Sequence, residues 1–488
     1  MAKHLISLIS SQIGLTREEA TFTYFLLVSL FVAVLYGRIL HPHRVSPVVR
    51  HLVSWLLGMY IGFYSYSWSM FHLIAQATIC YILLQILSPK IVHKVVFIVA
   101  ILYLSVEHVR QLISNHTADL DHIGPMMIIT ARITSLAFGL HDGKEFLSSV
   151  YSTAVACLAV GPFCFYKDYI DFIEGKHVIP FTKKTDDGKE IVIYKEPPVM
   201  NVVVKKTCVA VCIVATILSI GPYYLPIGNV DPAVLNSSIA YRLWYLWISV
   251  VLFQAKYIFA WTIADAICNA SGFGFNGYHS NGEPKWNLVT NINCSEFFTC
   301  QNLKQTKDTW HMTVNPYMRY AAFDRVSVPR LKLFSTLLLS CIWHGFYPGY
   351  FWTSGNAFLT TIVSKQGRQK IRPYFLSSKE SKRVYDIITL IFHQINVVYI
   401  FIPFALLSNE YIITFYSSCY FIGHIIVFTI LVVAIAIPSK KVKKESATND
   451  VLHTNSMPLN SALQTNNKEI NGNAKNDNNL HHRKYNEL

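Results

Sequence analysis

The run TLLLSCIWHGFYPGYFW (336–352) carries one histidine, His344, deep in an apolar stretch. An imidazole buried in hydrocarbon needs a partner or a task, because its desolvation is otherwise uncompensated. A neutral imidazole is also a natural general base near pH 7. His344 is therefore the first candidate for proton-transfer chemistry. Trp343 and Gly345 flank it, and Tyr347 and Tyr350 follow closely. Upstream, WHMTVNPYMRYAAFDR (310–325) reads as an amphipathic helix at the cytosolic edge, carrying His311 and Asn315. Both meet His344 if that helix folds back against the span.

Two more segments place polar groups where lipid is expected. In WTIADAICNASGFGFNGY (261–278), Asp265 and Asn269 are four residues apart and share one helix face. GFGFNG then supplies glycines for a helix end and a tight turn. No βαβ unit surrounds it, so it is not a dinucleotide fingerprint. Asp265 reads as a structural pairing residue or as part of a site, and the spacing leaves both open. In GPMMIITARITSLAFGLHDG (124–143), Arg132 sits mid-segment among apolar residues, with Thr130, Thr134 and His141. It needs a carboxylate, a phosphate or water, or it snorkels from an interfacial helix. Ten cysteines lack CxxC spacing, so neither a metal site nor a disulfide framework is expected.

The elements that must hold these residues are membrane helices. The chain of 488 residues is 52% hydrophobic and only 14% charged, with a mean hydropathy of +0.34. A soluble protein carries about 25% charge. Apolar blocks near the bilayer-spanning length lie at 21–40, 51–68, 70–87, 92–107, 148–166, 207–225, 240–266, 331–352, 384–408 and 411–437, with a weaker one at 124–140. The expected fold class is all-α and polytopic, with about 10–11 spans. The alternating short strands of a transmembrane barrel are absent from the pattern. The first 20 residues are too polar for a signal-peptide core, so the first span is expected to be a retained anchor.

A net charge of +14 invites a nucleic-acid reading, but the basic residues gather in loops at 181–206, 365–372 and 440–444. The positive-inside rule places such loops in the cytosol, and no nucleic-acid partner is expected. Three regions follow: a polar N-terminus (1–20), a multi-span body (21–438), and a basic then polar tail (439–488) expected to be disordered and cytosolic. Counting crossings works from 181 onward. Before that it fails by one, unless 124–140 or 148–166 does not cross fully.

Taken in order, GPMMIITARITSLA, GPFCFYKDYIDFIEG, WTIADAICNASGFGFNGY, the W-x-x-T segment at 310–313 and IWHGFYPGYF resemble the membrane-bound O-acyltransferase (MBOAT) family over roughly residues 20–438. More closely they resemble its lysophospholipid acyltransferases, the branch acting on lysophosphatidylethanolamine, lysophosphatidylserine and lysophosphatidylcholine. The resemblance implies a multi-pass enzyme of the endoplasmic reticulum membrane, built around a central chamber. Acyl-CoA is the implied co-substrate, entering from the cytosol, and a lysophospholipid is the acceptor, entering from the bilayer. It implies no bound cofactor and no metal. The implied catalytic residues are His344, as base toward the acceptor's free glycerol hydroxyl, and His311. Asn315, Asp265, Asn269, Trp343 and Tyr347 are the implied chamber-lining, substrate-binding positions. Oligomeric state is not readable.

The chain departs from the resemblance twice. His311 stands where that branch carries a catalytic asparagine, and the 144–160 region is shorter than in relatives. Those departures keep a second reading open, a catalytically inactive relative that binds lipid or acyl-CoA. An acylated protein or peptide acceptor and a transporter are more distant readings.

Overall fold

The computed structural model describes residues 5–7, 10–11, 17–114, 122–144, 162–176, 178–184, 190–195 and 197–437. The expected tail therefore lies outside the described residues, as does most of the span read at 148–166. The first long helices are α1 (Arg17–Ile39), α2 (Pro47–Tyr66), α3 (Met70–Ile86), α4 (Val92–Ser114) and α5 (Ile123–His141). Local chemistry sets their ends. Ser46 caps α2 by accepting from the Val49 amide, and Pro47 follows at the first helical position, where its missing N–H costs nothing.

α5 is the central element. Every residue from Ile129 to Gly139 is buried, so protein surrounds it on all sides. This accounts for the polar residues that made the stretch 124–140 read as a weaker span. Its threonines are satisfied by neighbouring side chains. Gln76 of α3 donates to the Thr130 hydroxyl (2.8 Å) and to the Ala100 carbonyl of α4 (3.0 Å). The Thr134 hydroxyl meets that of Tyr317 at 3.0 Å. Around these contacts Leu73, Ala77, Val96, Ala100, Leu104, Met126, Ile129 and Ile133 form the main apolar core of the first half.

A short amphipathic helix, α6 (Tyr166–Ile173), leads to a hairpin of β1 (Ile179–Lys184) and β2 (Glu190–Lys195). Its register pairs Phe181 with Ile193. This hairpin is the exception to the all-α expectation and occupies the basic 181–206 loop. Two long helices follow, α7 (Met200–Ile220) and α8 (Ile239–Ala270). α8 ends where the glycine-rich run begins, and Gly272 takes φ +91°. Irregular chain with short helices, including α9 (Leu303–Thr309) and α10 (Val314–Met318), then leads to α11 (Lys332–His344) and α12 (Pro348–Lys370). The body closes with α13 (Lys379–Leu406), α14 (Asn409–Ser418) and α15 (Ile422–Ala436).

Among the described residues, seven helical segments are long and apolar enough to cross a membrane, or eight when α14 and α15, bent by 69°, count as one span. The difference from ten or eleven has identifiable causes. The stretches 51–68 and 70–87 run on as one 40-residue segment, Pro47–Ile86. The stretch 331–352 is not one helix, because the chain breaks after His344.

Candidate active site

The break that ends α11 presents its last residue, His344, to the interior. Gly345 has φ +120°, a conformation closed to L side chains, and its amide completes the final turn by donating to the Cys341 carbonyl (2.9 Å). Pro348 then starts α12. A helix end inside a protein leaves carbonyls without intrahelical partners. His108 of α4 meets one of them, its Nε2 lying 3.0 Å from the Trp343 oxygen. A carbonyl only accepts, so His108 carries its proton on Nε2. A Cβ at position 345 would meet the His108 ring at 2.8 Å, so glycine is required for space as well as for φ. The His344 ring lies edge-on to Phe404 (5.2 Å between centroids) and beside Tyr350 (5.7 Å). Its nitrogens make no hydrogen bond to another described residue and stay available.

His311 arrives from the other side. It has φ +57°. Asparagine, aspartate and histidine are the side-chain-bearing residues that tolerate this left-handed region best. The backbone conformation at this position is thus one that histidine can occupy. The strained turn is fixed at both ends. The Asn315 amide donates to the Lys307 and Trp310 carbonyls. On the far side, the Met312 amide donates to the Asn291 carbonyl (2.9 Å), and the Thr313 amide and hydroxyl reach the Asn291 side chain (3.2 and 2.8 Å). The His311 ring packs on Trp261 of α8 (4.7 Å), and its Nδ1 is buried without a partner.

His311 and His344, 33 residues apart in sequence, have ring centroids 6.3 Å apart. At that separation two imidazoles that each turn a nitrogen inward can share one oxygen atom as a hydrogen-bond partner. Aromatic walls from Trp261, Phe404 and Tyr350 surround the gap and limit water. Such a pair can accept a proton from a hydroxyl and hydrogen-bond the oxygen that loses it.

The other expected site residues occupy different places. Trp343 is 3% exposed and donates its indole N–H to the Met127 carbonyl (2.8 Å), anchoring α11 to α5. Tyr347 caps α12 and packs on Tyr350 (5.9 Å). Asn315 serves the His311 turn, with its amide nitrogen engaged as above. Asp265 accepts from Lys206 of α7 (2.6 Å) and from Thr290 (2.6 Å), and Lys206 also donates to the Trp286 carbonyl (2.8 Å). Thr290 precedes Asn291, which holds the turn after His311. Asp265 therefore connects to the histidine pair through this loop rather than by direct contact. Asn269 is fully buried, lies one helical turn beyond Asp265 and packs against Gly274.

Sequence reasoning missed His108, Asn291 and Phe404. A signal for His108 existed: it is a charged-type residue in a membrane helix, but the span drawn at 92–107 stopped one residue short of it. Asn291 and Phe404 carried none, since a loop asparagine and a span phenylalanine are ordinary.

Comparison with known proteins agrees with this architecture. The family model described as MBOAT, membrane-bound O-acyltransferase family, matches residues 60–408. The chain is 33% identical over 475 residues to membrane-bound glycerophospholipid O-acyltransferase 2 of Gallus gallus, covering 90% of this chain and 89% of that protein. It is 31% identical over 470 residues to membrane-bound glycerophospholipid O-acyltransferase 1 of Mus musculus, covering 91% and 95%. It is 32% identical over 448 residues to lysophospholipid acyltransferase 6 of Drosophila melanogaster, covering 86% of this chain and 61% of that protein.

Proposed function

Because the chain belongs to the membrane-bound O-acyltransferase family, we propose that this multi-pass membrane acyltransferase moves a fatty acyl group from acyl-CoA to the free glycerol hydroxyl of a lysophospholipid. The names of its relatives support the acceptor class. The observation that carries the chemistry is the meeting of His344 and His311 in one aromatic-walled interior gap.

In this reading His344 takes the proton of the acceptor hydroxyl as its oxygen attacks the thioester carbonyl. The tetrahedral intermediate collapses, the carbon–sulfur bond breaks, and the coenzyme thiolate leaves with the proton from the imidazolium. His311 hydrogen-bonds the reacting oxygen. Removing a general base costs typically 10²–10⁴ in rate. Exclusion of water by the aromatic walls protects the thioester from hydrolysis. The endoplasmic reticulum membrane is the location this reading carries, and it rests on the family resemblance. Neither the fold nor the relatives favour the inactive alternative that His311 raises.

The test is acyl transfer from acyl-CoA by the full-length protein in microsomes, across a panel of lysophospholipids. Wild type is expected to acylate at least one of them, and His311→Asn to remain active. No activity with any acceptor, under conditions where acyl-CoA binds, overturns the reading.

A further inference from the structure

A second cavity lies between α1, α2, α5, α6 and α8, with about 1140 Å³ of empty space including its open mouth. Its walls are apolar, contributed by residues such as Leu26, Val32, Leu57 and Ile267. Among the described residues one cation enters it: Arg132, only 7% exposed. The guanidinium donates one hydrogen bond, from Nη2 to the Pro162 carbonyl, and its Nε is buried without a partner. It pairs with no carboxylate among the described residues. A buried, uncompensated guanidinium inside a membrane protein is costly, and an anion is what offsets it. Arginine's planar fork suits a phosphate better than a point cation does.

We propose that this cavity docks the phosphodiester of the lysophospholipid acceptor, with Arg132 as the phosphate-binding residue. The inference rests on the acyl-transfer reading above and adds to it where the acceptor's head is held. Three observations choose this ligand. The one cation among the described lining residues matches the single negative charge of a phosphodiester, whereas the several phosphate charges of coenzyme A demand several cations. The apolar walls suit an acyl chain. α1 and α2 carry exposed Leu27, Phe31, Leu52 and Leu56 on their outer surfaces, so the cavity lies one helix layer from lipid. The cavity and the histidine pair share helix α8. Ala264 and Cys268 line it one and two turns beyond Trp261, the α8 residue packed on His311. Those offsets are about 4.5 and 10 Å along the helix axis, the scale of a glycerophosphate.

The experiment is steady-state kinetics of the purified full-length protein in nanodiscs, varying lysophospholipid and acyl-CoA separately. Arg132→Gln is expected to raise KM for the lysophospholipid at least tenfold, with kcat and the acyl-CoA KM within about twofold. Arg132→Lys is expected to restore only part of the loss, since lysine keeps the charge but not the fork. Ser29→Phe fills the cavity without touching Arg132 and is expected to raise the same KM. Thermal unfolding of each variant separates a local effect from misfolding. A raised acyl-CoA KM alone assigns the site to coenzyme phosphates and overturns the proposal. Unchanged KM values, with lost stabilisation by added diacyl phospholipid, assign it to a bilayer lipid and also overturn it. Photo-crosslinking of a lysophospholipid probe in a His344→Ala background reads Arg132 without turnover. Loss of labelling in Arg132→Gln supports the docking site even if wild type transfers no acyl group, and equal labelling overturns it even if wild type does.

Discussion

The Lys206–Asp265 pair offers a sharp test of whether Asp265 is a clamp or a substrate ligand. Its side chains are 21% and 4% exposed. Asp265 holds two short bonds through Oδ2, from Lys206 and Thr290, while Oδ1 has no partner. Lys206→Met leaves a buried carboxylate with one hydroxyl donor. Asp265→Leu leaves the ammonium with the Trp286 carbonyl and the Thr290 hydroxyl. Breaking a buried pair costs about 3–5 kcal/mol, and the remaining acceptors place each single variant near 3 kcal/mol. The double variant removes both charges and strands only Trp286 and Thr290, for a loss of about 2 kcal/mol. Additivity gives about 6 kcal/mol, so the coupling is about 4 kcal/mol, within the range measured for close charge pairs. The assay is thermal unfolding in detergent with acyl transfer measured in parallel. Wild type is most stable, the double variant intermediate, and both single variants lowest, with the double variant recovering activity as well. A stable but inactive double variant, or one less stable than either single, refutes the clamp.

Other outcomes follow from the same contacts. His108→Ala strands the Trp343 carbonyl, a loss of about 1–3 kcal/mol, and lowers kcat more than it raises KM. His108→Gln, which can donate to the same oxygen, recovers part of it. Gly345→Ala forces a Cβ into φ +120° against His108, so unfolding temperature and kcat both fall, whereas Gly355→Ala, with open space at its Cβ, leaves kcat unchanged. At the end of α5, hydrogen bonding from Arg325 holds the Asp142 carboxyl down to about 2 against the opposing effect of burial. The folded value lies below the ordinary carboxylate value of about 3.9, so this stability is full above about pH 4 and is lost as pH falls toward 2. It amounts to about 2 kcal/mol. Acid titration of unfolding should lose that component in Asp142→Asn and keep it in Asp171→Asn.

The sequence showed most of the membrane class and part of the site. Long apolar blocks report spans directly, so α1, α4, α8 and α13 sit close to where hydropathy puts them. α5 was underrated because its threonines and Arg132 interrupt the apolar run, and the burial of this helix inside the protein is not written in hydropathy. The break after His344 was readable only in retrospect, since Gly345 needs its φ and the closeness of His108 to be seen as a stop rather than as ordinary small-residue packing. His344 stood out because lipid makes any histidine conspicuous. Its meeting with His311 required the chain between α8 and α11 to fold back, which depends on the Asn291, Thr313 and Asn315 contacts. No periodicity encodes those.

The most direct measurement is the rate of acyl transfer by purified His344→Ala, with product lipid and released coenzyme A quantified together and acyl-CoA binding measured on the same sample. The account predicts a loss of at least about 10²-fold in kcat, the scale of a general base, with folding and acyl-CoA binding retained. A folded His344→Ala protein that transfers acyl groups at the wild-type rate contradicts it.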